Sequence, residues 1–213
     1  MPQSAAHVAR DLDGATALVG YSRWCDATRE PAGPVCVGGD GSPQGRHALA
    51  LGQLLADRLG APLLAVHVAT DENGEQCDAS GIEADVRTVR DHSGAEGLQR
   101  VGEAENASLV VVGSSSRTGF GRVRPGETAT RLYSGAPMTV AVAPAGYADD
   151  VGELSIVGCG YDGDAAARSV LQWAVTPCAA RTGTKLEVLS VTPRWRLGYQ
   201  RGRTAVVFSA ASP

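Results

Sequence analysis

Apolar residues fall in short unbroken runs separated by segments of helical spacing. Pro34–Gly38 (PVCVG), Leu63–Ala69 (LLAVHVA), Leu109–Val112 and Met138–Ala143 read as strands covered on both faces. Between the first two, Ser42 is a good N-cap and Pro43 suits the first helical turn. Ala48, Leu51, Leu55 and Leu59 then recur on one helical face, and Gly60 ends the helix. The resulting β-α-β unit is expected to be right-handed and parallel. Residues 70–83 are polar and turn-rich, barely long enough for another crossover. Ala84–Arg90 alternates imperfectly, like an edge strand, and Ser93 caps a helix reaching about Asn106, with Leu98 and Val101 inward. Gly113–Gly126 lacks apolar periodicity. A helix then starts near Glu127, with Gly135 as its left-handed cap and Pro137 beyond it. This pattern predicts an α/β fold with a doubly wound, Rossmann-like, five-stranded parallel sheet.

The pattern then begins again. After a polar linker, Ala145–Gly152, the segment from Val157 to Gly163 restates Val35–Gly41, with Arg168 and Leu171 matching Arg46 and Leu49. Gly183–Val191 restates Gly60–Ala69, and the match stops there. The expected organisation is a poorly ordered leader over 1–32, in which Ala15–Gly20 is at most a short strand or turn, and a complete domain over 33–147. An incomplete second copy over 153–192 (strand, helix, strand) and an arginine-rich tail over 193–213, without recognisable strands, would follow.

Composition narrows the class. The 213 residues are 43% hydrophobic and 20% charged, as in a globular protein with a real core. The net charge of −4 gives no global field for nucleic acid. Lys185 is the only lysine, every other basic residue being arginine, a bias of coding more than of chemistry. Five cysteines form no CxxC pair, and Cys36 and Cys159 fall within predicted strands, where a thiol acts as a small apolar residue. An odd count without a framework points to a reducing cytoplasm, and no apolar run reaches membrane length. The expectation is a cytoplasmic protein without nucleic-acid or membrane partners.

The stretch with chemical promise is LVVVGSSSRTGFGRVRPGETATRLYSGAPMTVAVAP, residues 109–144. A glycine-rich loop leading from a strand's carboxyl end to a helix N-terminus suits a phosphate, because free N–H groups and the helix dipole point at it. Together with VCVGGDGSPQGRHAL and LLAVHV, it resembles the universal stress protein family, most closely tandem members that end in GAP-x-x-VAVAP. The resemblance implies a stress-response protein that binds ATP or another adenine nucleotide as a regulatory ligand, and that is not an enzyme. Carried over by position, the implied nucleotide contacts are Gly38 and Asp40 after the first strand, Ala69 at the end of the second, and Val112, Gly113, Ser116, Gly126, Glu127 and Thr128 along the loop. The family's last strand pairs across a dimer, which implies a homodimer through Met138–Ala143; an unpaired apolar edge there would invite association in any case.

Two positions depart from the family's G-x2-G-x9-G-(S/T) signature: Ser116 replaces the second glycine, and Glu127 stands where Ser or Thr is expected. A Cβ at 116 costs about 1 kcal/mol if the loop needs positive φ there. Glu127 puts a carboxylate at a helix N-terminus, where it would fill the protein's own anion site and repel a triphosphate, against which Arg117, Arg122 and Arg124 would act. An alternative reading is therefore a nucleotide-free homodimerising module with a degenerate loop; a third is a remnant of a two-domain protein. Other motifs fail. Gly121–Thr128 has P-loop spacing but Glu127 in place of the lysine, Ser114–Ser116 lacks the closing glycine of a nucleophile elbow, and His7, His47, His67 and His92 have no metal spacing, with His67 reading as a packed histidine. Arg194, Arg196, Arg201 and Arg203 beside Trp195 and Tyr199 suit a disordered basic tail better than an RNA contact.

Overall fold

The structure, a computed structural model, describes residues 15–20, 33–70, 84–117, 123–149, 154–160, 171–172, 174–175, 184–189 and 205–210. Its elements are β1 (Ala15–Gly20), β2 (Val35–Gly38), α1 (Pro43–Leu59), β3 (Leu63–Ala69), β4 (Asp85–Arg90), α2 (Gly94–Ala104), β5 (Leu109–Gly113), α3 (Glu127–Gly135), β6 (Thr139–Ala143), a 3-10 turn (Tyr147–Asp149), β7 (Leu154–Gly160), β8 (Lys185–Leu189) and β9 (Ala205–Ala210). The expected parallel block is present, in the order β4-β3-β2-β5-β6, with α1 on one face and α2 and α3 on the other. The crossover expected over 70–83 lies, from 71 onward, outside the described residues.

Local signals explain the helices. Ser42 Oγ accepts the Gly45 amide at 3.1 Å to cap α1, Gly60 adopts φ 62° at its end, and Ser93 Oγ accepts the Glu96 amide at 3.2 Å to cap α2. Gly135 does not form the expected left-handed cap. It stays helical, and α3 ends through extended Ala136, whose N–H reaches the Leu132 carbonyl at 2.8 Å. Pro137 is the physical reason, because the residue before a proline is driven out of helical geometry.

The sheet does not stop at five strands. β1 runs antiparallel along β6 (Leu18 opposite Val142, Gly20 opposite Val140), β9 runs antiparallel along β1, and β7 and β8 complete a nine-stranded sheet. Residues 15–20 form the short strand that the sequence allowed within the leader, and residues 205–210 correct the expectation of an arginine-rich tail without strands; the remainder of both segments lies outside the described residues. The edge of Met138–Ala143 on which the homodimer rested is already occupied by β1 of the same chain. Both strands are flanked by unpatterned sequence that gives little local signal, and they are held by pairing with β6, with each other and, for β9, with β7.

The core is continuous between the two halves of the chain. Val35, Val37, Leu51 and Leu55, in the cluster beneath α1, share that cluster with Val157, Cys159 and Ala174 from the second half, all at 0–2% exposure. β7 and β8 pair in parallel, as β2 and β3 do. The stretch after β6, expected to be a polar linker, is partly core: Gly146 and Tyr147 are buried, and burial pushes the Tyr147 phenol up to about 12. Cys36 is fully buried and its thiol is likewise pushed up to about 12, so it serves as packing and not as a nucleophile.

Candidate functional site

β2 and β5 are neighbours whose connections diverge, β2 leading through α1 to β3 on one side and β5 through α3 to β6 on the other. The carboxyl ends of such a strand pair leave a crevice, the usual ligand position in open α/β sheets. A cavity of about 310 Å³ lies there. Its apolar wall is Val66 and Val68 of β3, Leu98 of α2 and Val112 of β5; its polar rim comes from the turn after β2, the loop after β5 and the helix starts.

Three helix N-termini meet at this cavity. Ser42, Gln44 and Gly45 of α1, Gly94 of α2, and Gly126 to Ala129 of α3 all line it. Two of these ends carry a serine cap, Ser42 and Ser93 each accepting one amide. The third has none. Gly126 is the N-cap of α3, with φ −77° and ψ −175°, and no side chain caps it. Backbone bonding in this helix begins at the Thr130 amide, which reaches the Gly126 carbonyl at 3.0 Å. The Glu127, Thr128 and Ala129 amides therefore have no acceptor within the helix.

Glu127 does not fill this gap. Its carboxylate accepts from Arg131 at 2.7 Å, one turn along the helix, and its side chain is 80% exposed. The expectation that the protein would occupy its own anion site is thereby corrected: an i,i+4 pair with arginine offers the carboxylate a partner on the outer face.

The loop is held at its neck. Ser114 is buried, and both its N–H and its hydroxyl donate to the Ala143 carbonyl, at 3.0 and 2.7 Å. The Arg124 amide donates to Ser114 Oγ at 3.3 Å, and the Ser115 amide to the Arg124 carbonyl at 2.8 Å. Ser114 is thus a clamp tying the loop to β6. Ser116 lines the cavity without positive φ, so the strain charged to its Cβ does not arise. Gly113 is required for packing, since a Cβ there would lie 2.4 Å from the Gln44 carbonyl oxygen of α1. Gly126 is different: a Cβ would meet nothing closer than 3.7 Å, so its missing side chain leaves room in the cavity without being demanded by the fold.

Asp40 sits on the rim, where its Oδ1 accepts the Ser42 amide at 3.0 Å and the Ser42 hydroxyl. The turn that carries it is anchored from below by His67, which is 4% exposed; its Nδ1–H donates to the Gly39 carbonyl at 3.0 Å, and its Nε2 has no partner among the described residues. The reading of His67 as merely packed missed this anchoring, because nothing in the local sequence links positions 39 and 67.

Of the expected site residues, Gly38, Asp40, Val112, Gly113, Ser116, Gly126, Glu127 and Thr128 all line the cavity. Ala69 does not. Strand alternation puts Val66 and Val68 on the cavity face, and Ala69 turns away, its carbonyl accepting from the Asp91 amide at 3.2 Å. Arg117 and Arg124 are exposed and do not line the cavity, and Arg122 lies outside the described residues. Among the described residues, no His, Cys, Asp and Glu cluster suits a metal ion, and no helix is long and apolar enough to cross a membrane.

Comparisons with known proteins find the following likenesses. Residues 74–144 match the model of the universal stress protein family. A universal stress protein of Mycobacterium bovis and one of Mycobacterium tuberculosis are each 31% identical to this chain over 121 residues, which cover 57% of the chain and 41% of the relative. The chain thus spans about two fifths of the length of the curated relatives it matches. A solved universal stress protein from Archaeoglobus fulgidus is similar with a TM-score of 0.42 and 24% identity, covering 53% of this chain and 45% of that one.

Proposed function

We propose that the chain is a member of the universal stress protein family, a stress-response protein whose cavity at the β2–β5 divergence binds an adenine nucleotide as a regulatory ligand, held and not turned over. The observation that carries this reading is the uncapped start of α3. Its three free amides open onto a cavity, while Glu127, the group that would have competed for them, is paired outward with Arg131. Val66, Val68, Leu98 and Val112 offer an apolar wall for a base, and Asp40 on the rim is placed to accept from a ribose hydroxyl. The choice of adenine, including ATP, comes from the family resemblance. Ser114, the best-placed hydroxyl in the loop, is engaged with Ala143 and Arg124, which suits a binding site better than a nucleophile.

Calorimetric titration with AMP and ATP tests this. Heat is expected with the wild-type protein and none with Gly126→Trp, whose indole would occupy the space beside Ser115, provided its thermal melt matches the wild type. Absence of heat with both nucleotides in the wild-type protein overturns the reading. The alternative, a nucleotide-free module dimerising through β6, has less support because β1 lies along that edge.

A further inference from the structure

We propose that the cavity selects nucleotides by charge, accepting a ligand with a single phosphate group in preference to a triphosphate, and that Glu127 is the residue that enforces this choice. The inference rests on the nucleotide reading above and goes further by naming the class of nucleotide.

Its basis is a count of charged groups and anion positions. Among the described residues lining the cavity, the ionisable side chains are Asp40 and Glu127, both carboxylates, and no lysine or arginine joins them. Arg117 and Arg124 flank the loop but are exposed outside the cavity, and Arg131 meets Glu127 on the outer face of α3. Among the described residues the site therefore holds no cation of the kind that triphosphate sites usually direct at the β- and γ-phosphates.

Among the described lining residues, attraction for an anion comes from backbone, and it is most concentrated at the start of α3. At the starts of α1 and α2 a serine oxygen already accepts one amide each, at Gly45 and Glu96. The start of α3 has no side-chain cap, and its Glu127–Ala129 amides are enough to surround one phosphate group. A phosphate monoester carries about −1.5 to −2 near neutral pH, and a triphosphate chain roughly twice that. The extra phosphates of ATP would extend from this position past the first residue of α3, into the field of the Glu127 carboxylate, with no cation among the described lining residues to meet them. Arg131 damps that field at 2.7 Å without removing it, since the pair is exposed to water.

The test is isothermal titration of the full chain with AMP and with ATP, without divalent cations, for the wild-type protein and Glu127→Gln. AMP is expected to bind about tenfold more tightly than ATP to the wild type, and Glu127→Gln to tighten ATP about tenfold and AMP only about threefold, as a Coulomb interaction scaling with ligand charge requires. A second readout needs no variant: raising sodium chloride from about 50 to 500 mM should narrow the gap between AMP and ATP in the wild-type protein, because screening weakens repulsion of the more charged ligand most. ATP binding as tightly as AMP, or a gap that salt and Glu127→Gln leave unchanged, overturns the charge selection while leaving the nucleotide site standing. Binding of neither nucleotide to either protein removes the nucleotide reading and the selection together.

Discussion

His47 of α1 accepts the Gly146 amide on Nε2 at 3.0 Å, while the Ala148 amide approaches its Nδ1 at 3.1 Å. One buried imidazole thus ties the first helix to the segment leading from β6 into the second half. A neutral ring has one lone pair to offer these two amides, and a protonated ring has none.

This contact gives stability a pH dependence of definite sign. Burial lowers the His47 pKa below 6.5; Arg46 nearby acts in the same direction, and Asp149 opposes them. The folded state therefore binds fewer protons than the unfolded state just below that pH. The contribution of His47 is fully present above about 6.5 and is lost as pH falls through that value toward the lower, folded-state pKa. Melts between pH 8 and 5 should show a falling midpoint below about pH 6.5, and His47→Gln, which keeps an acceptor that does not titrate, should flatten that limb. Equal slopes for the two proteins would remove His47 as the cause.

Gly126→Ser should separate the fold from the ligand. The backbone at 126 is already extended, a Cβ meets only ordinary contacts, and serine is a better cap than glycine by a few tenths of a kcal/mol. The apo midpoint is expected to stay level or rise by about 1 °C, since roughly 1 kcal/mol moves a domain of this size by 2–4 °C. Stabilisation by added AMP should shrink at the same time, because the new hydroxyl competes for the α3 amides. Unaltered stabilisation by AMP would place the phosphate elsewhere.

Leu55→Ala examines the shared core. Leu55 is fully buried in the cluster that also holds Val157 and Cys159, so truncation should cost about 2–5 kcal/mol. Because the cluster spans both halves, chemical denaturation is expected to remain a single transition shifted as a whole. Two resolved transitions, with only one displaced, would mean that the halves unfold separately.

Local chemistry was the part of this protein legible in its sequence. Ser42, Pro43, Gly60 and Ser93 place their helices because caps and turns act within a few residues, and the buried runs at Leu63, Leu109 and Met138 mark central strands by composition alone. The cavity residues along the loop were legible for the same reason. What failed depended on direction or on partners distant in the chain. Ala69 does not line the cavity, because strand alternation assigns it to the face opposite Val68. Glu127 was expected among amides, whereas the competing partner Arg131, one turn away, holds it outward. His67 beneath Gly39, and Ala15–Gly20 between β6 and β9, rest on contacts that no local pattern encodes.

The position of β1 also changes what is expected of self-association. β6 is buried along its length, and its free side is covered by only three registered residues of β1, Leu18 to Gly20, whereas β1 is registered with β9 over all six of its residues. The β6–β1 seam is the shorter joint, and what it covers is an apolar strand edge able to pair with another chain. Val19 lies opposite Ala141 on one side and Val206 on the other, so Val19→Pro removes a ladder N–H in the middle of a sheet. Light scattering at micromolar concentration should then find Val19→Pro as a dimer or larger species, through the β6 edge it uncovers, and the wild-type chain as a monomer. A Val19→Pro protein that stays monomeric with an unchanged melt would show that β1 does not guard that edge, and a wild-type dimer would show that the chain associates without uncovering it.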